Sequence, residues 1–348
     1  MQGAAMREYE LEILNQYDIE IISTRKIRGA FFCETNEGWM VLKEAGISDG
    51  RALLLYQLLC HLEEHGYENV DLPVFTKEQE LISTSRDGTR YLLKHWFGGR
   101  ECDVRREGDI LEAVRNLSLL HQKLYWETKK EDSLPTAGRP LKEEFVCRTR
   151  ELKKVRTFVR KRRNKGKFEY LFLEHFEKMF RFAELAEEQL KTSGYDALYE
   201  RSIREQRLIH GDYNYHNVLM PAGTHGAMAG WGNPERVATT GFEHFRRDVQ
   251  VLDLYYFLRK VMEKHHWNVK LGDSMLEMYS RIRPLSQEEI RYLSVKLLYP
   301  EKFWKVANTY YHSNKAWIPE KNVEKLETVI RQNEEKMQFA EQIFTFHL

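Results

Sequence analysis

Leu208-Ile209-His210-Gly211-Asp212-Tyr213-Asn214-Tyr215-His216-Asn217-Val218-Leu219-Met220 is the stretch around which the chain is organised. Two apolar residues lead in, a polar turn carries His, Asp and Asn, and an apolar run leads out. The pattern predicts a loop between two short strands, its polar groups facing a cleft. Asp212 and Asn217 lie five residues apart. In phosphoryl transfer one carboxylate orients the attacking hydroxyl and takes its proton, while a nearby Asn amide oxygen holds a metal ion on the nucleotide phosphates. A loop returning on itself over this spacing can bring both groups to one phosphate. His210 has another task, bracing the loop through backbone hydrogen bonds.

Working outward, the 348 residues can bury a large core, as one bilobal unit or two domains. Lys and Arg number 54 against 53 Asp and Glu, so the global charge points to neither a nucleic acid nor a membrane partner. Cys33, Cys60, Cys102 and Cys147 are scattered without a CxxC pair, as in a reducing compartment with no zinc site. Met1 to Glu10 lacks an apolar core, so no secretion signal is expected. No apolar run reaches the roughly 18 residues that span a bilayer.

Upstream, Arg7 to Tyr17 reads as a weak amphipathic helix and Ile19 to Thr24 as a strand. Turns at Arg28-Gly29-Ala30 and Asn36-Glu37-Gly38 separate it from Phe31 to Thr35 and from Trp39-Met40-Val41-Leu42-Lys43. Three strands joined by tight turns predict an antiparallel sheet. Gly50 to His65 follows as a helix with a Leu54, Leu55, Leu58, Leu59, Leu62 stripe and Gly66 as C-cap. Leu81 to Ser85 and Tyr91 to Trp96 flank an Asp-Gly hairpin turn at Arg86-Asp87-Gly88-Thr89. Phe97-Gly98-Gly99-Arg100 suits a hinge. Asp109 to Trp126 is a long helix whose His121 reads as a packing histidine.

The His-Gly-Asp-x-x-x-x-Asn arrangement resembles the catalytic loop of the kinase-like phosphotransferases typified by aminoglycoside and choline kinases. The resemblance implies an α+β, bilobal protein-kinase-like fold: a small antiparallel β N-lobe over 1–96 and a larger, mostly helical C-lobe over 97–348. It implies ATP and Mg as cofactors. Asp212, His210 and Asn217 are then the catalytic set. Lys43 reaches the nucleotide phosphates, and the backbone of Lys94, His95, Trp96 and Phe97 contacts the adenine. The turn at Gly29 is not a G-x-G-x-x-G phosphate cradle. Kinases also place a Glu on the first helix to hold the strand lysine. Here only Asp49, Glu63 and Glu64 flank that helix, Gln57 sits in its middle, and Lys43 has no assignable partner.

Arg150 to Lys167 holds ten cations against the single acid Glu151. It reads as a solvated helix face or as a docking surface for an anionic partner. Phe168 to Leu190 continues as an aromatic-rich amphipathic helix whose stripe reads as core. Beyond the loop, Gly223 to Pro234 reads as a Gly-rich turn and Val237 to Phe245 as a strand. In active relatives of the resembled family this strand ends in an Asp that binds the nucleotide's magnesium; here Gly241 stands there. On a regular strand Glu243 would share a face with position 241, and with Asn217 it forms the expected metal pair. Asp253 matches the acid that buttresses the loop in the resembled fold, and a helix N-terminal acid favoured by the dipole is the equal alternative.

Further blocks narrow the resemblance: Gly211 to Leu219, Thr239 to Phe245, Asp248 to Lys260, Arg283 to Ser286, Leu298 to Trp304 and Asn314 to Asn322. Together they resemble the CotS-like spore coat proteins of endospore-forming Firmicutes. Synthesis in the cytoplasm of a sporulating bacterium, residence in the spore coat and coat proteins as partners follow as expectations. Three functions stay open: a coat-associated phosphotransferase acting on an unknown hydroxyl, a non-catalytic pseudokinase scaffold, and a small-molecule kinase unrelated to spores.

Overall fold

A computed structural model describes residues 12–27, 29–126, 134–221, 233, 236–312 and 319–344. Most of the expected Gly223 to Pro234 turn, Lys315 to Ile318, Arg28 and the first turns of the N-terminal helix lie outside the described residues. By packing, the chain divides into two compact units, one of residues 1–136 and 206–247, the other of 137–205 and 248–348. This cuts the chain differently from the lobe boundary expected after Trp96.

The first unit opens on β1 (Ile21–Ile27), β2 (Ala30–Thr35) and β3 (Gly38–Glu44), then α1 (Asp49–Glu64), β4 (Ile82–Thr84) and β5 (Arg90–His95). The five strands form one sheet ordered β1-β2-β3-β5-β4, every pair antiparallel. The hairpin β4–β5 closes as its sequence requires: Asp87 Oδ1 accepts the Thr89 N–H at 3.0 Å. Helix α1 starts where Ser48 Oγ accepts the Arg51 N–H at 3.3 Å. It buries Leu55, Leu58, Leu59 and Leu62, while Leu54 is half-buried. One sheet face packs Phe31, Cys33, Met40, Leu42, Tyr91 and Leu93 with Ile13, Leu14 and Tyr17.

β6 (Arg100–Glu101) and α2 (Glu107–Lys123) follow, with His121 fully buried. The unit resumes at β7 (Leu208–Ile209), β8 (Val218–Met220), β9 (Ala238–Thr239), a 3₁₀ turn Phe242–His244 and β10 (Arg246–Arg247). β8 lies between β6 and β9, and β7 pairs with β10. The strand expected over Val237 to Phe245 is therefore short. Gly241 takes φ +83°, a left-handed conformation that turns the chain off the extended path into the 3₁₀ turn.

The second unit is helical: α3 (Leu141–Lys161), α4 (Lys167–Thr192), α5 (Tyr195–Arg204), α6 (Val251–Met262), α7 (Val269–Ile282), α8 (Gln287–Leu298), α9 (Glu301–His312) and α10 (Pro319–Phe344). The aromatic stripe of α4 is core, as its spacing predicts. Phe168, Phe172, Phe176 and Phe180 pack with Leu152, Val155, Phe303 and Leu326. The basic run is broken between α3 and α4, and its cations are partly spent. Arg156 pairs with Glu177, Arg162 with Glu169, and Lys167 with Glu327 at 2.7 Å. Asp253 is buried in the first turn of α6. No helix among the described residues is long and apolar enough to cross a membrane.

Candidate functional site

The loop between β7 and β8 holds itself together with the residues that its sequence supplies. His210 Nε2 lies 3.0 Å from the Thr240 carbonyl, and its Nδ1 accepts the Asp212 N–H at 3.1 Å. The ring thus ties the loop to β9, which is the bracing expected of it. Asn217 Nδ2 donates to the Asp212 carbonyl at 2.9 Å and to its Oδ2 at 3.2 Å. Asn214 Oδ1 accepts the His216 N–H at 2.9 Å and closes the turn. Asp212 and Asn217 are thereby brought to one spot. Behind them, Tyr213 donates to the Ala113 carbonyl at 2.7 Å. Asn116 Nδ2 donates to Thr239 Oγ1 at 2.8 Å and to the Tyr213 hydroxyl at 3.1 Å. This buried network sets the loop's height on α2.

Two glycines decide the loop's shape. Gly211 has φ +84°, and a Cβ there would sit 2.2 Å from the His244 carbonyl oxygen. Gly241 has φ +83°, and its Cβ would lie 3.0 Å from the Asn217 side-chain amide. The space beside Gly241 is thus already occupied by Asn217.

Lys43, Lys94, Asp212, Asn217 and Glu243 line one cleft of about 290 Å³. Lys43, at the exposed end of β3, has no ion pair among the described residues. The buried cation is Lys94, on β5, only 1% exposed. Its Nζ donates to Asp71 Oδ2 at 2.8 Å and pairs with Glu243 Oε1. Asp71 Oδ2 also accepts the Gly241 N–H at 3.0 Å. Burial works against the Lys94 charge, but the two carboxylates more than offset it and raise its pKa. Burial likewise opposes the Glu243 charge, yet the Lys94 ammonium wins and holds the carboxyl below its usual range. Asp71 is raised by complete burial despite Lys94.

Sequence reasoning placed the backbone of Lys94 in the cleft and missed its side chain's role, and it missed Asp71 altogether. A signal existed: Leu92 and Lys94 share a strand face, and both are buried. A lysine in a strand buried on both faces requires acidic partners. Arg51 was also missed. From α1 it donates to the carbonyls of Glu243, at 3.2 Å, and Phe245, and it lies 3.7 Å over the Phe245 ring.

Two of the residues expected at the adenine spend their N–H donors inside the unit. The N–H groups of His95 and Trp96 donate to the carbonyls of Leu72, at 2.9 Å, and Trp39, at 2.8 Å. Phe97 is buried with Trp96 against Leu219 and Ala238. Burial pushes the His95 imidazole down from 6.5 to about 4, so the fold favours the neutral ring. Between those values the unfolded chain binds the proton first, and stability present above 6.5 is lost as the pH falls towards 4. In stepped-pH urea unfolding, the stability of the wild type relative to His95→Phe is expected to fall as the pH drops across that window. A constant gap would remove His95 from the acid response.

The expected magnesium pair, Asn217 with Glu243, is compromised as it stands. Gly241 offers no side-chain ligand atom, and Glu243 is paired with Lys94. Magnesium is bound through carboxylates, and the expected Asn217–Glu243 pair does not supply a free one.

The family model described as "Spore coat putative kinase YutH" matches residues 10–343. Spore coat protein S of Bacillus subtilis (strain 168) is 24% identical over 344 residues, covering 95% of this chain and 93% of that protein. An aminoglycoside phosphotransferase from Alicyclobacillus acidocaldarius subsp. acidocaldarius DSM 446 superposes with a TM-score of 0.81 at 18% identity, covering 99% of this chain and 97% of that one. A spectinomycin phosphotransferase solved with ADP and spectinomycin gives a TM-score of 0.60 at 13% identity, covering 95% and 97%. The antiparallel sheet followed by helices is thus the α+β protein-kinase-like fold of the aminoglycoside phosphotransferases.

Proposed function

Because the chain belongs to that spore coat kinase family, we propose that it is a spore coat protein whose kinase-like cleft binds a nucleotide through its phosphates without a magnesium ion. One observation carries the reading: the Lys94 ammonium sits between Asp71 and Glu243, beside Gly241. Lys94, held between two carboxylates, fills the place where the resembled enzymes hold a metal. Lys43, exposed on the same cleft, supplies an ammonium for phosphate oxygens. A lysine meets phosphate as a point charge and needs no metal bridge. The spectinomycin phosphotransferase with its bound ADP supports a nucleotide as the ligand class.

A second reading, phosphoryl transfer to a hydroxyl acceptor, is favoured by the Asp212–Asn217 pair. In it Asp212 is the base, aligned by Asn217 and His210.

Melting the protein with ATP in EDTA and in magnesium separates the readings. The expected result is equal stabilisation in both buffers, about 2.7 kcal/mol at 100-fold excess over Kd, reduced by Lys43→Ala. Stabilisation only with magnesium would overturn the metal-free site, and none in either buffer would leave the fold as a scaffold alone. Transfer of labelled phosphate that Asp212→Ala abolishes would establish the second reading.

A further inference from the structure

A second polar site lies wholly within the helical unit and does not depend on the nucleotide reading. A cavity of about 30 Å³ is lined by side chains of α6, the turn after it, α9 and α10. One water needs about 10–15 Å³, so there is room for a compact ion and none for a nucleotide. Three lining side chains carry buried donors with no acceptor among the described residues: Arg259 Nε, Trp267 Nε1 and Asn333 Nδ2. Trp267 and Asn333 are each only 4% exposed. Orphaned buried donors are costly, and three around one cavity call for a shared acceptor.

The charges agree. Arg259, Lys302 and Lys336 line the cavity against Glu263 and Glu301. Both carboxylates are already committed. Glu263 meets Arg259 at 2.6 Å and Lys302 at 2.8 Å. Glu301 meets Arg148 at 3.5 Å and Lys296 at 3.8 Å, and it accepts the Tyr255 hydroxyl at 3.0 Å. Among the described residues, Lys336 Nζ reaches only the Tyr299 carbonyl, at 3.5 Å. Burial, then Arg259, pushes Lys336 down to about 8 against the pull of Glu301 and Glu263. The backbone beside it is unusual as well: His266 and Trp267 take φ +48° and +52°, rare for residues of this size.

We propose that this cavity is a binding site for a small oxyanion of the phosphate type, held by the N–H groups of Arg259, Trp267 and Asn333 and by the Lys336 ammonium. The full-length protein is titrated with inorganic phosphate, with chloride at matched ionic strength as the control. Saturable stabilisation by phosphate is expected, at least tenfold weaker in Lys336→Met. Trp267→Phe, which keeps the ring and removes only the N–H, should weaken it several-fold. Affinity should fall as the pH rises past about 8, where Lys336 loses its proton. Absence of saturation, or equal affinity in Trp267→Phe and Lys336→Met, would overturn the site. Saturation kept in Lys336→Met and lost in Lys43→Ala would place the phosphate in the nucleotide cleft and overturn it too.

Discussion

Lys94→Met should cost about 3–5 kcal/mol, the penalty for breaking a buried ion pair by removing one partner. Methionine nearly matches the volume of lysine, so packing alone predicts little change. The cost arises because Asp71, 2% exposed, and Glu243 would be left as like charges in a site that Lys94 now bridges. Asp71 is already poorly served, since its Oδ1 has no partner among the described residues. The same physics predicts a partial rescue. Adding Asp71→Asn to Lys94→Met removes one stranded charge and should recover a good part of the loss. Urea unfolding followed by tryptophan fluorescence reads both. A Lys94→Met protein as stable as the wild type would mean that the cluster does not form.

Gly211→Ala is the second large effect. Left-handed backbone costs a residue with a Cβ about 1–3 kcal/mol, and overpacking adds about 1–3 kcal/mol. Here the obstacle is the His244 carbonyl, 2.2 Å from the new Cβ, and a backbone group cannot rotate away as a side chain can. Gly241→Ala offers the control. Its φ is nearly the same, but its Cβ meets the Asn217 side-chain amide at 3.0 Å, which can shift by a few tenths of an ångström. Gly211→Ala should therefore cost clearly more than Gly241→Ala. Equal midpoints in urea would show that backbone strain, not the His244 contact, governs both.

The catalytic-type loop could be read from the chain because its contacts are local. Asn214 closes on His216, and Asn217 on Asp212, within a few residues. Strands β1 to β5 were legible for the same reason, with tight turns between alternating apolar runs. The charge state of the cleft was not. Lys94 finds Asp71 23 residues away and Glu243 149 residues away, pairings that the folded chain sets and no spacing rule reports. The run from Val237 to Phe245 looked like a strand because it is rich in β-branched and aromatic residues. One glycine with a left-handed backbone ended it and swung Glu243 onto Lys94. The basic run misled differently: composition counts charges, but Glu177, Glu169 and Glu327, which neutralise part of it, come from later helices.

Arg51 joins segments 192 residues apart, with its guanidinium stacked on Phe245 and donating to two carbonyls. Through that clasp the helix it stands on and the turn carrying Glu243 become a single mechanical piece. Any outward swing of that helix would have to break two hydrogen bonds and a ring contact to the turn first.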